Sequence, residues 1–437
     1  MAGGREEPYD ARWEDTEAER EEVIDAVVDG DRSISPGTAQ AALRHRDFRI
    51  VWGGTFASNV GTWMQNVLLG AYALQLTGDP GYVGVLFFAQ LGPLLFLGTI
   101  GGVLADVVDR RRLLIWMQLE QLVFSVLLAF IAMSSQPSKV AIFLCVLAIG
   151  VGNAFSAPAL GAILPILVPH EDLPGAVSLQ SAQMNLSRVI GPAIGAPLFA
   201  AFGAAPVFGL NALTYGFAVA AVVMAKYRTR NDQPMPERGF ARLASGFRVA
   251  AHDPLIRRVL LVLTVFSFFS LAFVGLMPVV ADDNLGIGPK TTQYGLLYAT
   301  FGLGAALGAV SIGTLFADYS KSRIVRLALA AFAVLLAIFA LERGPATAFP
   351  TIFVLAFAYF CVITSLSTVL QQHLEDRVRG RIMALWIMAF GGTVPIGVLV
   401  GGFAVGPLGI TTVVLIGAAA ALMLAFYADL RVVGAEE

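Results

Sequence analysis

The sequence predicts an all-α membrane protein: twelve transmembrane helices in two pseudo-symmetric six-helix bundles. Three observations carry this. Of 437 residues, 57% are hydrophobic and only 14% charged, with a mean hydropathy of +0.73. Soluble domains carry about 25% charged residues, and a water-soluble fold has no interior large enough for this much apolar surface. Apolar stretches long enough (~20 residues) to cross ~30 Å of hydrocarbon recur along the chain. One polar stretch, 226–255, splits them six and six.

Residues 1–44 form an acidic cytosolic tail. Within it, positions 1–40 hold twelve acidic and four basic residues, net −8, so the remainder is net +6 although the whole chain is −2. Such a start is unlike a secretory signal peptide. The stretch DTEAEREEVIDAVVDG reads as a short amphipathic helix, with a Thr16/Glu19 capping box, a Val23, Ile24, Val27, Val28 stripe and a stop at Gly30. Its role is either docking or that of a dispensable tail. The first bundle, 45–225, takes segments near 48–76, 81–105, 112–133, 139–167, 174–202 and 205–225. The linker 226–255 is cytosolic. The second bundle, 256–430, takes segments near 256–281, 292–316, 324–341, 347–371, 381–405 and 408–430, and 431–437 is a cytosolic tail. Frequent Gly and Pro inside these segments fits lipid-embedded helices. Cys145 and Cys361 each lie in an apolar stretch and read as small filler; no disulfide or metal framework is implied.

Lysine and arginine orient the spans. With the N-terminus inside, outer loops hold only Lys139, Lys290 and Arg343. Inner loops hold Arg110, Arg111 and Arg112, then Lys321, Arg323 and Arg326, then Arg377, Arg379 and Arg381, besides six basic residues in the linker. Both termini are therefore expected in the cytosol. The halves also repeat. GGVLADVVDRRRLL (101–114) follows the second segment and IGTLFADYSKSRIV (312–325) follows the eighth. Each has glycine, leucine and aspartate before basic residues: Gly102, Leu104, Asp106 and Gly313, Leu315, Asp318. Transporters built from such halves bind substrate near the midplane and rock about it.

The glycine of this motif allows close helix approach. The aspartate sits at a helix C-terminus, which repels negative charge, so it is better placed to meet an arginine or a helix N-terminus across the seam. Such a contact makes a gate. Gly102, Asp106, Arg110, Arg111, Gly313, Asp318, Arg379 and Arg381 are its expected parts. The alternative is a topogenic anchor with an incidental aspartate.

Ionisable residues inside a span are costly and are functional candidates by default. Glu120 lies about nine residues into its segment, roughly 13 Å along, and Arg188 about fourteen residues in, roughly 21 Å, at ~1.5 Å per residue. Both are near mid-depth, whereas Asp282 and Asp283 reach the outer end. Desolvation makes a carboxylate's charge costly at that depth, as a proton carrier requires. Glu120, flanked by Gln118 and Gln121, is the coupling candidate and Arg188 a cavity charge; a static pairing of Glu120 with Arg188 or a polar neighbour and a snorkelling, partly wetted Glu120 are the alternatives. Asn59, Gln65, Asn66, Gln90, Asn153, Gln183, Asn185, Asn211, Tyr298, Tyr359 and Trp386 are the candidate cavity residues. Ser181, Met184, Asn185, Arg188 and Pro192 share one helical face. Gly191, Pro192 and Gly195 supply close packing or a hinge. A polar first half facing an aromatic second half suits an amphipathic organic substrate.

GVLADVVDRR resembles the signature loop of the major facilitator superfamily, keeping Gly102, Leu104, Ala105, Asp106, Arg110 and Arg111 but with Val107 for arginine and Asp109 for glycine. DFRIVWGGTFASNVGTWMQ, GNAFSAPALGAILPILVP, NLSRVIGPAIG, NALTY and RGRIMALWIMAFGGTVPIGVLVGG are similar to the enterobactin-exporter-like, transmembrane secretion effector branch, over roughly 45–430. Leu160 stands where that branch often has arginine. The resemblance implies two six-helix bundles (the major facilitator fold), alternating access and export of siderophores, macrolides, tetracyclines or similar compounds, commonly by proton antiport. Gly191, Pro192 and Gly195 resemble the antiporter motif. The first segment lacks the aspartate common in related drug antiporters and has Asn59, Gln65 and Asn66 instead.

No phosphate-binding loop, nucleophile elbow or His/Cys cluster is present, and the basic residues are topogenic. No enzyme, cofactor, metal site or nucleic-acid partner is expected. The expectation is a monomeric proton-driven exporter of an amphipathic small molecule in a bacterial inner membrane. A lipid or lysophospholipid flippase of the same fold and a non-transporting sensor or scaffold are the alternatives.

Overall fold

The computed structural model describes residues 35–226 and 240–430; the side chains of 99–107, 240–244 and 376–377 also lie outside the described residues, as does the amphipathic helix expected before Gly30. Described residues are helical or connecting. Helix α1 (Ala39–Arg44) starts where Thr38 Oγ1 accepts from the Ala41 amide at 3.2 Å. Helix α2 (Arg46–Thr77) runs 32 residues and ends in a left-handed Gly78, φ 62°, a conformation costly for other residues. There follow α3 (Pro80–Val107), α4 (Arg110–Ala132), α5 (Lys139–Leu167), a 3-10 turn at His170–Asp172, α6 (Leu173–Phe202) and α7 (Ala204–Met224). Helix α8 (Phe240–His252) lies within the expected linker and packs on the start of α15 (Asp376–Ile387), bringing Gly246 against the Arg381 backbone. The chain continues through α9 (Pro254–Val265), α10 (Ala272–Gly275), α11 (Met277–Asp283), α12 (Thr292–Gly313), α13 (Lys321–Leu341), α14 (Pro345–His373), α15, α16 (Thr393–Leu408) and α17 (Ile410–Tyr427).

Among the described residues ten helices are long and apolar enough to cross a membrane. The two expected spans outside that set are α2 and α6. Both are long continuous helices, but α2 carries Asn59, Thr62, Gln65 and Asn66, and α6 carries Gln180, Gln183, Asn185 and Arg188. These polar side chains lower the hydropathy of both helices.

Within the first half α2 packs on α6 and α7, α4 on α5 and α7, and α3 on α5; within the second, α14 packs on α12 and α13, and α13 on α17. The halves meet along two seams, α3–α16 and α6–α12. Small residues make both possible. A Cβ on Gly402 would stand 2.6 Å from the Pro80 carbonyl, and one on Gly84 2.9 Å from the Val398 carbonyl; one on Gly295 would collide with Ala196. Tyr294 Oη donates to the Val67 carbonyl at 3.3 Å. These contacts run from the end that holds the Gly78 and Gly409 turns to mid-depth, where Leu95 meets Gly392 and the Arg188 carbonyl meets Gly302. Beyond that, Ser181, Ala182 and Met184 of α6 are exposed. In the second half, Phe266, Phe273, Phe301, Phe332, Phe339 and Tyr359 interlock edge-on or tilted, with Phe301 and Tyr359 stacked, geometries that aromatic quadrupoles allow.

Candidate functional site: an arginine beside two aromatic rings

Helix α6 divides its faces. Gln183, Ser187, Gly191 and Gly195 are buried against α2: Gln183 Nε2 donates to Thr55 Oγ1 at 3.2 Å, and added Cβ atoms on Gly191 and Gly195 would strike Met64. The face expected from the sequence is partly open, with Ser181 and Met184 exposed and Asn185 and Arg188 half-buried. Asn185 Nδ2 donates to the Ser181 carbonyl at 2.9 Å. Two turns further, the Pro192 carbonyl approaches Gly295 of α12. Gly191 and Gly195 are thus packing residues, and α6 stays a continuous helix through Pro192.

Arg188 lies where α2, α6, α12 and α14 converge. Its Cζ is 5.1 Å from the Trp63 ring centroid on α2 and 5.2 Å from that of Phe360 on α14. One ring belongs to each half. A cation–π contact at such distances is worth roughly 0.5–1 kcal/mol when exposed and about 2 kcal/mol or more when desolvated. Tyr359 is close enough to interact electrostatically. Arg188 Nε is buried with no hydrogen-bond partner, and no carboxylate pairs with this guanidinium among the described residues. The static Glu120–Arg188 pair is therefore not formed.

Glu120 lies instead inside the first half. Its Oε2 sits against Gly152 of α5, where any Cβ would collide with it, and it is buried without a hydrogen-bond partner. Tyr215 of α7 is an electrostatic neighbour, and Thr62 of α2 donates to Tyr215 Oη at 3.2 Å. Gln121 Nε2 donates to Ser156 Oγ at 3.1 Å. Helix α2 thus reaches the tyrosine beside Glu120 through Thr62, and the next residue, Trp63, lies beside Arg188.

The other cavity candidates divide. Gln65 and Asn211 are buried together: Gln65 Oε1 accepts from Asn211 Nδ2 at 2.8 Å and from Ser125 Oγ at 3.0 Å. They, with Gln183, hold helices together rather than line an open space. Gln90 is buried and donates to Asn66 Oδ1. Tyr298 donates to the Val274 carbonyl, and Trp386 is buried on α15. Asn59 and Asn153 are half-buried with no side-chain hydrogen bond among the described residues. Tyr359 meets Phe360 edge-on at 4.6 Å, next to Arg188.

The gate residues are also mixed. The side chains of Gly102 and Asp106 lie outside the described residues. Asp109, the departure from the family pattern, caps α4 by accepting from the Arg111 and Arg112 amides at 2.9 and 3.1 Å. Arg110 reaches the Ala162 carbonyl at 3.5 Å, and Arg111 the Val223 carbonyl at 2.8 Å. Arg379 donates to the Leu374 carbonyl at 3.4 Å. A Cβ at Gly313 would meet nothing within 4 Å, so the close approach expected there is not made, and Asp318 is exposed with no ion pair among the described residues.

Several features escaped sequence reasoning. Trp63 and Phe360 are two aromatics among many. The helix breaks lie in α-to-π transitions at Phe266–Ser270 and Met388–Gly392, a geometry frequent at functional sites. Two His–Asp clamps mark the end opposite the Gly78 turn. His45 Nε2 lies 2.7 Å from Asp172 Oδ2, while the Gly37 amide donates to Asp172 Oδ1 at 3.0 Å; in the other half His373 Nε2 lies 2.8 Å from Asp253 Oδ2. The hydrogen bond from His45, then that from the Gly37 amide, holds the Asp172 carboxyl below its ordinary range. At Asp253 burial pushes upward, but the Ile256 amide and His373 outweigh it, so this carboxyl is also lowered.

Residues 37–435 match the family described as transmembrane secretion effector. The chain is 30% identical over 346 residues to the enterobactin exporter EntS of Escherichia coli O81 (strain ED1a), covering 78% of this chain and 81% of that one; the exporter of Escherichia coli O1:K1 is 29% identical over 347 residues with the same coverage. Among solved structures, the nucleoside transporter NupG superposes with a TM-score of 0.68 at 12% identity over 89% of this chain and 99% of that one. A bacterial homologue of the iron transporter ferroportin, in an inward-facing state, gives 0.70 at 15% identity over 88% and 98%. At such identities the structures speak for the fold alone. The protein is a multi-pass membrane protein, and it belongs to the transmembrane secretion effector family of the major facilitator superfamily.

Proposed function

We propose that this protein is a secondary active exporter that moves an amphipathic small molecule out of the cell by alternating access, in exchange for protons. The observation that carries the reading is Arg188: a cation without a counter-ion among the described residues, at mid-depth, beside one aromatic ring from each half. On this reading residues 45–225 and 256–430 are the two moving six-helix bundles, with α2 and α6 completing twelve spans, and 226–255 is their cytosolic linker. Arginine-rich connections support a bacterial inner-membrane protein with both tails in the cytosol, acting as a monomer. Seam contacts lie on the side away from those basic connections, which favours a state open to the cytosol. Gly102, Asp106, Gly313, Asp318 and the basic residues after them act as the cytosolic gate once that side closes. Relatives named as enterobactin exporters support outward movement of a metabolite.

Glu120 is the proposed proton site, since its Oε2 is buried, unpartnered and separate from Arg188. The test compares drug and metabolite accumulation in a deletion strain with strains complemented by the wild type or Glu120→Gln, with and without a protonophore. Proton-coupled export predicts that Glu120→Gln inserts normally yet accumulates like the deletion strain. Efflux that survives both the substitution and gradient collapse overturns the coupling. Transport of labelled lysolipid with unchanged drug accumulation points to the flippase alternative.

A further inference from the structure

We propose that Arg188, Trp63 and Phe360 form a charge-selective subsite for the anionic group of the transported molecule, so that the substrate is a flat amphipath bearing a carboxylate or similar oxyanion. The inference rests on the exporter reading and narrows its substrate.

The argument starts from an electrostatic imbalance. An ionised group inside a low-dielectric region needs a partner, because burial of an isolated charge costs several kcal/mol even after relaxation. Arg188 is half-buried, and among the described residues no carboxylate lies within ion-pair distance of it and its Nε is buried without a hydrogen bond. A guanidinium cannot shed its proton to escape the cost. Two aromatic faces at 5.1 and 5.2 Å reduce it but supply no countercharge.

The geometry then selects the missing partner. Trp63 and Phe360 lie beside the guanidinium but offer it no strong hydrogen-bond acceptor, so its planar donors remain to be met. An edge-on fork matches the two oxygens of a carboxylate. The Arg188 backbone is fixed, because its carbonyl lies against Gly302 where a Cβ would stand 3.2 Å away. Around the charge, Trp63, Phe360 and Tyr359 offer apolar faces, and Ser181, Met184 and Asn185 lead from it along the exposed side of α6. Because Trp63 and Phe360 come from different halves, an anion that engages Arg188 meets the element bridging the seam.

The test uses three ligands with one ring system and three charges: naphthalene-2-carboxylate, naphthalene-2-methanol and 2-naphthylmethylammonium, titrated calorimetrically against full-length protein in nanodiscs. The carboxylate is expected to bind at least tenfold tighter than the other two. Arg188→Gln should erase that preference, Arg188→Lys should keep part of it, and Phe360→Leu should weaken all three while preserving their order. Equal binding of the three by wild type overturns the inference, whether or not the Gln variant folds. So does a preference that persists in a monodisperse Arg188→Gln. Wild-type efflux with no charge preference sinks this inference and leaves the exporter standing; a preference in a protein that exports nothing sinks the exporter reading instead.

Discussion

Adding one methyl group at Gly402 should move the protein between conformations. Gly402 of α16 faces the first turn of α3. A Cβ there would stand 2.6 Å from the Pro80 carbonyl, 3.3 Å from Gly84 Cα and 3.4 Å from Gly81 Cα. All three are backbone atoms, so no rotamer change relieves the clash. Ordinary contact begins near 3.4 Å, which means the helices must part by roughly 0.8 Å. Overpacking of this kind costs ~1–3 kcal/mol. Alanine also favours helix over glycine by ~1 kcal/mol, but that gain is common to every state in which α16 is helical. Only the wedge depends on the seam being closed. Gly402→Ala should therefore lower the population closed at this end by roughly 5- to 150-fold relative to the open one.

Spin labels at Ser135 and Lys290, exposed positions on the two halves at that end, read the change by pulsed electron resonance once Cys145 and Cys361 are replaced. The expected result is growth of a longer-distance component in Gly402→Ala. Gly406→Ala, on the same helix with nothing within 4 Å of the new Cβ, should match wild type. Identical distributions in all three proteins would refute the reasoning, because they would show that the glycine contact does not hold the seam.

Gln65→Leu should lower thermal stability, since it removes the acceptor for Asn211 Nδ2 and one partner of Ser125 Oγ, an unsatisfied-donor penalty of ~1–3 kcal/mol; an unchanged melting temperature would return Gln65 to the cavity. Asp172→Asn should release the α1 clamp in a pH-dependent way. The Asp172 carboxyl is held below its ordinary value of 3.8, so its contribution is complete above that value and drains away as pH falls below it. The melting gap between wild type and Asp172→Asn is thus expected to be flat from about pH 7 to about pH 5 and to shrink in stronger acid; a gap that widens on acidification contradicts the assignment.

What the sequence made legible follows from contrast. Glu120 and Arg188 stand out because an ionisable group in an apolar run has few reasons to exist. Trp63 and Phe360 do not, because a chain with 30 phenylalanines offers no contrast, and helices apolar all round have no period that reveals an inner face. Gln65 and Asn211 were legible as polar but not as structural: an amide looks the same whether it lines a cavity or bridges two helices. The π-turns at Phe266–Ser270 and Met388–Gly392 depend on a one-residue shift of hydrogen-bond register that no side chain announces. The glycine–proline stretch of α6 suggested a bend, yet Gly191 and Gly195 are used up by contact with Met64.

The two unpaired charges differ in how each can be relieved, and this divides the work between them. A carboxylic acid can be neutralised where it stands by one proton, and Glu120 needs no other partner for that. An arginine keeps its charge at any physiological pH, so Arg188 can be compensated only by an anion brought to it. Had the two side chains faced each other, each would have cancelled the other, and neither a proton nor a ligand would change the energy of the site by much. The structure holds them apart, Glu120 against Gly152 and Arg188 beside Trp63, while Thr62 of the same helix donates to the Tyr215 hydroxyl. A movement of α2 that alters one contact must alter the other, because adjacent residues of a helix cannot shift independently. Under the exporter reading, that shared helix is the physical route by which a proton at Glu120 and an anion at Arg188 come to favour different states of the seam.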